Sequence, residues 1–239
     1  MYYANYQFQK QWKEGSTLSA GTTLNQNKIL SAAFGNHNTT NAALYGQFEW
    51  KKDKWDVTLG TRMEYFELDG KQGDSYFYLN KDSSAVLPIY PIFRSGIHYE
   101  LNKATHLRTS FGQGIRFPSV AERYAATSSG GVIIFPNPDL APEIGWAAEL
   151  GVKQIVKLGE WKGYLDLAGF INQYSNMIEY TFGVYNPDSV VVTPSNLTNW
   201  VGFKAKNAEK ARITGVELSF NSAGKIKEVE VISLVGYTY

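Results

Sequence analysis

Apolar and polar side chains alternate along much of this chain, most clearly over residues 54–67, KWDVTLGTRMEYFE. The odd positions are Trp55, Val57, Leu59, Thr61, Met63 and Tyr65; the even positions are Asp56, Thr58, Gly60, Arg62, Glu64 and Phe66. Successive strand side chains point to opposite faces, so this period predicts a strand with one apolar, uncharged face and one mostly polar face. Leu107, Thr109 and Phe111 stand against His106, Arg108 and Ser110 in the same way. Val216, Leu218 and Phe220 stand against Gly215, Glu217 and Ser219.

Alternation also occurs in soluble sandwiches, so strand length has to decide. Strands of globular domains run about 5–6 residues, whereas several segments here run about ten to fourteen. At about 3.3 Å per residue and about 40° of tilt, ten residues rise roughly 25 Å, the height of an outer-membrane apolar band. Short turns are expected at Gly15, Lys52-Asp53, Asn102-Lys103, Gly159 and near Gly224. Long connections are expected between them, at about 27–39, 68–90, 114–142 and 180–202. Short and long connections therefore alternate, as they do in bacterial barrels. The expected fold is all-β: an antiparallel transmembrane β-barrel, with about ten strands present in a single domain over residues 1–239.

Register follows from keeping the apolar sets on one side. Phe93, Ile97, Tyr99 and Leu101 match Leu107, Thr109 and Phe111 only if paired numbers sum to an even value, which requires an odd-numbered turn of about three residues around Asn102. His98, Glu100, His106 and Arg108 then face the lumen. Phe48 and Trp50 match Trp55 and Val57 only for an odd sum, which fits a two- or four-residue turn.

Composition narrows the function. The 23 Lys and Arg against 22 Asp and Glu leave a formal charge of +1, which gives no electrostatic case for nucleic acid. There is no cysteine, which excludes disulfides and thiolate chemistry. Aromatics reach 15%, which suits strands and the aromatic belts of a membrane interface. No run of about eighteen apolar residues predicts a transmembrane helix, and no basic, apolar signal opens the chain. His98 and His106 lack the further convergent ligands a metal site needs, and His37 stands alone. The segment TSSGG at 127–131 lacks the lysine and strand–helix context of a phosphate loop. Asn196 begins an Asn-Leu-Thr glycosylation pattern. Nothing in the spacing of Ser, His and carboxylates suggests a triad, so no enzyme activity and no cofactor are expected.

Residues 133–143, IIFPNPDLAPE, break the alternation. Pro136, Pro138 and Pro142 lack the N–H that a ladder requires, so this run is not central strand. With its neighbours it resembles the barrel domain of TonB-dependent outer-membrane receptors. The resemblance rests on Arg116-Phe117-Pro118-Ser119, on Asn137-Pro138-Asp139-Leu140-Ala141-Pro142-Glu143 and on Glu149-Leu150-Gly151. It is extended by AGFINQYSNMIEY and by NAEKARITGVELSF, with Asn207, Ala211, Gly215 and Glu217 in order. The matched motifs span about 107–220.

The resemblance implies a barrel of about 22 strands holding an N-terminal plug. This chain is expected to be a fragment of that barrel without the plug or the segment that contacts TonB. The implied function is active, TonB-dependent uptake of a scarce nutrient across the bacterial outer membrane. The implied partners are membrane lipid, the plug, the TonB–ExbB–ExbD complex and a large ligand: a ferric siderophore first, then cobalamin, haem or a glycan. The proline run is expected to close a long outer loop and hold it extended before the next strand. Arg116, Glu143, Glu149 and Glu217 are candidates to face the plug. Tyr124, Phe135, Tyr180, Phe182 and Tyr185 are outer-loop candidates for ligand contact. A passive porin-like channel and a soluble β-sandwich that binds glycans or mediates adhesion are the alternatives.

Overall fold

The computed structural model describes residues 1–69, 85–187, 189–207 and 210–239. Ten long strands form one antiparallel sheet. They are β1 (Tyr2–Gln11), β2 (Thr17–Ile29), β3 (His37–Lys52), β4 (Trp55–Leu68), β5 (Ala85–Asn102) and β6 (Thr105–Arg116), then β9 (Glu143–Leu158), β10 (Trp161–Ser175), β13 (Ala211–Ile226) and β14 (Val229–Thr238). Sequence neighbours pair throughout, in the order β1-β2-β3-β4-β5-β6-β9-β10-β13-β14, so β1 and β14 are both open edges. The sheet is not closed into a barrel. Between β6 and β9 lie a five-residue helix, α1 (Val120–Tyr124), β7 (Thr127–Ser129) and β8 (Val132–Phe135). Between β10 and β13 lie β11 (Ile178–Val184) and β12 (Val201–Asn207). These short strands form a second sheet, β11-β12-β8-β7, that the alternation does not predict.

The apolar face of the large sheet is bare. Trp55 is 44% exposed, Leu59 53% and Phe111 37%, so these residues are not sealed in an interior between stacked sheets. The opposite face holds the ion pairs Arg62–Glu64, Arg108–Glu149 and Arg108–Asp166. A sheet with a greasy outside and charges inside is the arrangement of a barrel wall in lipid.

Turns at one end are tight, and residues with positive φ make them: Gly15 at 88°, Asp53 at 52°, Gly159 at 60° and Lys227 at 56°. Lys52 pairs with Trp55 and Trp50 with Val57, which is the expected odd sum across a two-residue turn. Tyr99 pairs with Leu107, the expected even sum. The parity is set differently from the three-residue turn expected. Asn102 pairs with Thr105, and a bulge between Glu100 and Asn102 supplies the odd residue. The Asn102 side chain accepts from Ala104 N at 2.9 Å and Thr105 N at 3.0 Å, which fixes the turn. The last turn lies at Lys227-Glu228, not near Gly224, which pairs with Val231 inside β13. Gly224 is there because the Trp161 indole covers it; a Cβ would sit 2.4 Å from that ring.

The connections at the other end are longer; the last, between Ser175 and Ala211, is wider than the expected 180–202 because β11 and β12 both lie in it, and the first is narrower than expected. The strands on either side of the first stop at Ile29 and begin again at His37. Residues 70–84 of the second lie outside the described residues.

Candidate functional site

The described residues of the outer connections form one body, and the motif residues hold it together. Ser119 caps α1: its Oγ accepts from Glu122 N at 3.2 Å, while Glu122 accepts from Ser119 N at 2.7 Å. The reciprocal pair satisfies two orphan donors of the short helix. Arg116 then donates to both Glu122 oxygens at 3.0 Å and to Glu143 at 2.5 and 2.7 Å. Glu143 also accepts from Ile178 N at 2.7 Å, which ties β9 to the start of β11. Burial by itself raises the Glu122 carboxyl, but the bonds from Arg116 and Ser119 together outweigh it and hold the group below the usual carboxylate range.

Arg123 is the centre of the proline run. It is 1% exposed and donates to Pro138 O at 2.9 Å and Leu140 O at 2.5 Å. Burial lowers its affinity for the proton. Pro118, Leu140 and Pro142 are among the most deeply buried side chains of the described residues. Asn137 donates to Ala205 O at 2.8 Å, and Asn207 exchanges two 2.9 Å bonds with the backbone of Ala141. Prolines cannot use ladder partners, so buried carbonyls in this run take side-chain donors instead. Parallel pairing of Gly202, Phe203 and Lys204 with Ile133, Ile134 and Phe135 joins the two connections a second time.

Beneath α1, Leu68, Val120 and Tyr124 make a small apolar core with Ile29, Phe34 and Phe66. Phe117 stacks on Phe66 at 4.7 Å. His37 stacks under Tyr124 at 4.4 Å and bridges Asp69 Oδ1 at 3.0 Å and Phe34 O at 2.7 Å.

The five outer-loop candidates divide by position. Tyr124 is 4% exposed and Phe135 5%, so both rings are interior to the outer body. Burial raises the Tyr124 phenol, with Arg123 opposing. Tyr185 lies 5.5 Å from Phe135, with its hydroxyl held by Thr181 O at 2.7 Å. Tyr180 and Phe182 share one face of β11 and are open to solvent, Phe182 edge-on to Phe203 at 5.3 Å. Only these two rings of the five present a free surface.

The four charged candidates divide as well. Arg116 and Glu143 bind each other and the outer body. Glu149 accepts from Arg108 Nε at 2.8 Å. Glu217 is exposed on the polar face and has no ion pair among the described residues. The residues that sequence reasoning did not single out are Arg123 and Asp166. Arg108 reaches Asp166 at 2.6 Å by crossing β9 over Gly151, where a Cβ would lie 2.7 Å from the guanidinium carbon. The Glu149-Leu150-Gly151 motif thus supplies an acceptor and a gap. A Ser-x-x-Glu spacing at Ser119 and Glu122 was the available signal for the helix.

A family model described as TonB dependent receptor-like, beta-barrel, matches residues 1–239. Among solved structures, the chain is similar to a double mutant of the Serratia marcescens hemophore receptor HasR, in complex with its hemophore HasA and haem. The TM-score is 0.73 at 16% identity, covering 99% of this chain and 41% of that one. It is similar to the copper transporter OprC, with a TM-score of 0.66 at 13% identity over 99% of this chain and 36% of that one. It is similar to the siderophore receptor PirA of Acinetobacter baumannii, with a TM-score of 0.62 at 16% identity over 99% and 36%. The chain therefore spans less than half the length of each of these structures, and at such identities the likeness concerns the fold. No curated protein sequence matches the chain.

Proposed function

The chain belongs to the TonB-dependent receptor β-barrel family, and from that premise we propose that residues 1–239 are part of the barrel of an active outer-membrane receptor. The observation that carries the reading is the division of one tall sheet into a bare apolar face and a charged one, with a bonded outer body over one end. The apolar face meets lipid, and the charged face lines the lumen around a plug supplied by the rest of the protein. Outer residues such as Tyr180 and Phe182 offer surface to a ligand. A ferric siderophore is the first candidate cargo, since the similar structures include a siderophore receptor beside haem and copper proteins. The plug, pulled through TonB–ExbB–ExbD, opens the path.

Planar-bilayer conductance of the full-length protein, combined with uptake in cells with and without TonB, tests this. The expected result is a closed pore and uptake that vanishes without TonB. A permanently open pore with TonB-independent uptake would replace the receptor with a passive channel.

A further inference from the structure

One arginine on the lumenal wall has no acid partner among the described residues. The other arginines of this face are paired: Arg62 with Glu64, Arg108 with Glu149 and Asp166, and Arg116 with Glu122 and Glu143. The Arg94 side chain, on β5, has no hydrogen bond, ion pair or ring contact among the described residues. Its cross-strand neighbours are glycine on both sides, Gly60 on β4 and Gly112 on β6. A Cβ built at Gly60 would meet the Arg94 Cβ at 3.9 Å, and one at Gly112 would meet its Cγ at 4.0 Å; Gly96 and Gly114 have nothing within 4 Å. The guanidinium thus rises from a floor at backbone level. Beside it lies a cleft of about 450 Å³ lined by Tyr45, Gln47, Arg62, Glu64 and Ile92, whose one acid, Glu64, is paired with Arg62.

We propose that Arg94 anchors an acidic side chain of the polypeptide that fills the lumen in the full-length protein; this rests on the plugged-receptor reading above. A guanidinium fork matches a carboxylate with two parallel bonds. Glycine on a strand marks where another backbone comes close, and here it does so on both sides of the charge. A small free anion needs several converging donors. Among the described residues the cleft offers only one uncommitted guanidinium, because Arg62 is already held by Glu64 and Thr23. The chemistry that fits is therefore one carboxylate carried on a chain lying against the glycine floor.

The test uses the full-length receptor in planar bilayers, with wild type, Arg94→Lys, Arg94→Gln and Arg94→Glu compared after each is shown to be heat-modifiable and folded. Wild type and Arg94→Lys should stay closed. Arg94→Glu should raise the frequency of open events at least about tenfold, the low end of what losing one charge-assisted bond costs. Arg94→Gln should fall between, and it keeps the test alive if the reversal does not assemble. Suppressors that restore closure to Arg94→Glu should change Asp or Glu to Lys or Arg within the plug. Closed traces for all variants would overturn the proposal, as would suppressors confined to the outer loops or a loss of ligand affinity with closure intact, which would assign Arg94 to passing ligand. A wild-type pore that is already open would instead overturn the plugged-receptor reading itself.

Discussion

Replacing Arg123 should loosen the outer body while leaving the strands intact. The guanidinium is shut off from water and donates to Pro138 O and Leu140 O, which have no ladder to fall back on. A hydrogen bond from a charged group contributes about 1.5–3 kcal/mol, so the two together reach roughly 3–6 kcal/mol. The cost of keeping the charge dry returns part of that on mutation. A net local destabilisation of about 2–4 kcal/mol remains, equivalent to roughly 30- to 1,000-fold faster exchange through local opening. Arg123→Met keeps the apolar stem and removes the donors; Arg123→Lys offers one ammonium to two carbonyls and should fall between. Hydrogen exchange of the full-length protein in nanodiscs reads the effect in peptides covering 119–142. Peptides from β4 and β5 are the internal control. If 119–142 in Arg123→Met exchange within about threefold of wild type, the guanidinium is not what holds the proline run.

Three more substitutions test the contacts described above. Gly202→Ala places a Cβ 2.1 Å from Ile133 O, a backbone atom that cannot step aside. The variant should lose about 1–3 kcal/mol locally and expose 132–135 and 201–207 to exchange together; independent behaviour of the two segments would deny that β8 and β12 couple the loops. Gly151→Ala should push Arg108 off Asp166. In the variant background Asp166→Asn should then cost less than in wild type by up to about 1 kcal/mol in a double-mutant cycle, while strict additivity would exclude the bridge. The Glu122 carboxyl is depressed in the folded state, so its stabilisation is present above its unfolded pKa and is lost as pH falls through the folded one. The exchange difference between wild type and Glu122→Gln at 119–124 should thus be full at neutral pH and disappear in strong acid, and a pH-independent difference would contradict the assignment.

The large sheet was legible because a period of two states directly which side chains share a face. Trp55, Leu59 and Phe111 stand on the bare side as their positions require. Register was legible as parity but not as turn length, because a bulge at Leu101 and a three-residue turn give the same sum. Gly224 misled as a turn marker because its missing Cβ makes room for Trp161 rather than for a positive φ. The outer body was the least legible part. Parallel pairing of β8 with β12 joins residues about seventy apart, and no local pattern encodes such a contact. Inside and outside are likewise undetermined for a loop aromatic without periodicity, which is why Tyr124 and Phe182 look alike in sequence and differ in place. Arg123 reads as one more surface charge until the carbonyls of Pro138 and Leu140 are brought to it.

The central claim is that odd-numbered residues of β4 face lipid and even-numbered ones face a watery lumen. These 239 residues contain no cysteine, so single nitroxide labels can be placed along β4 at will. Accessibility to oxygen, which partitions into lipid, and to a water-soluble nickel chelate should alternate from residue to residue. Labels at Val57, Leu59 and Met63 should favour oxygen, and labels at Thr58, Gly60 and Arg62 should favour nickel. Labels at Val57 and Leu59 that are immobile and shielded from both reagents would mean that this face is packed inside a protein core, and the barrel account would fail.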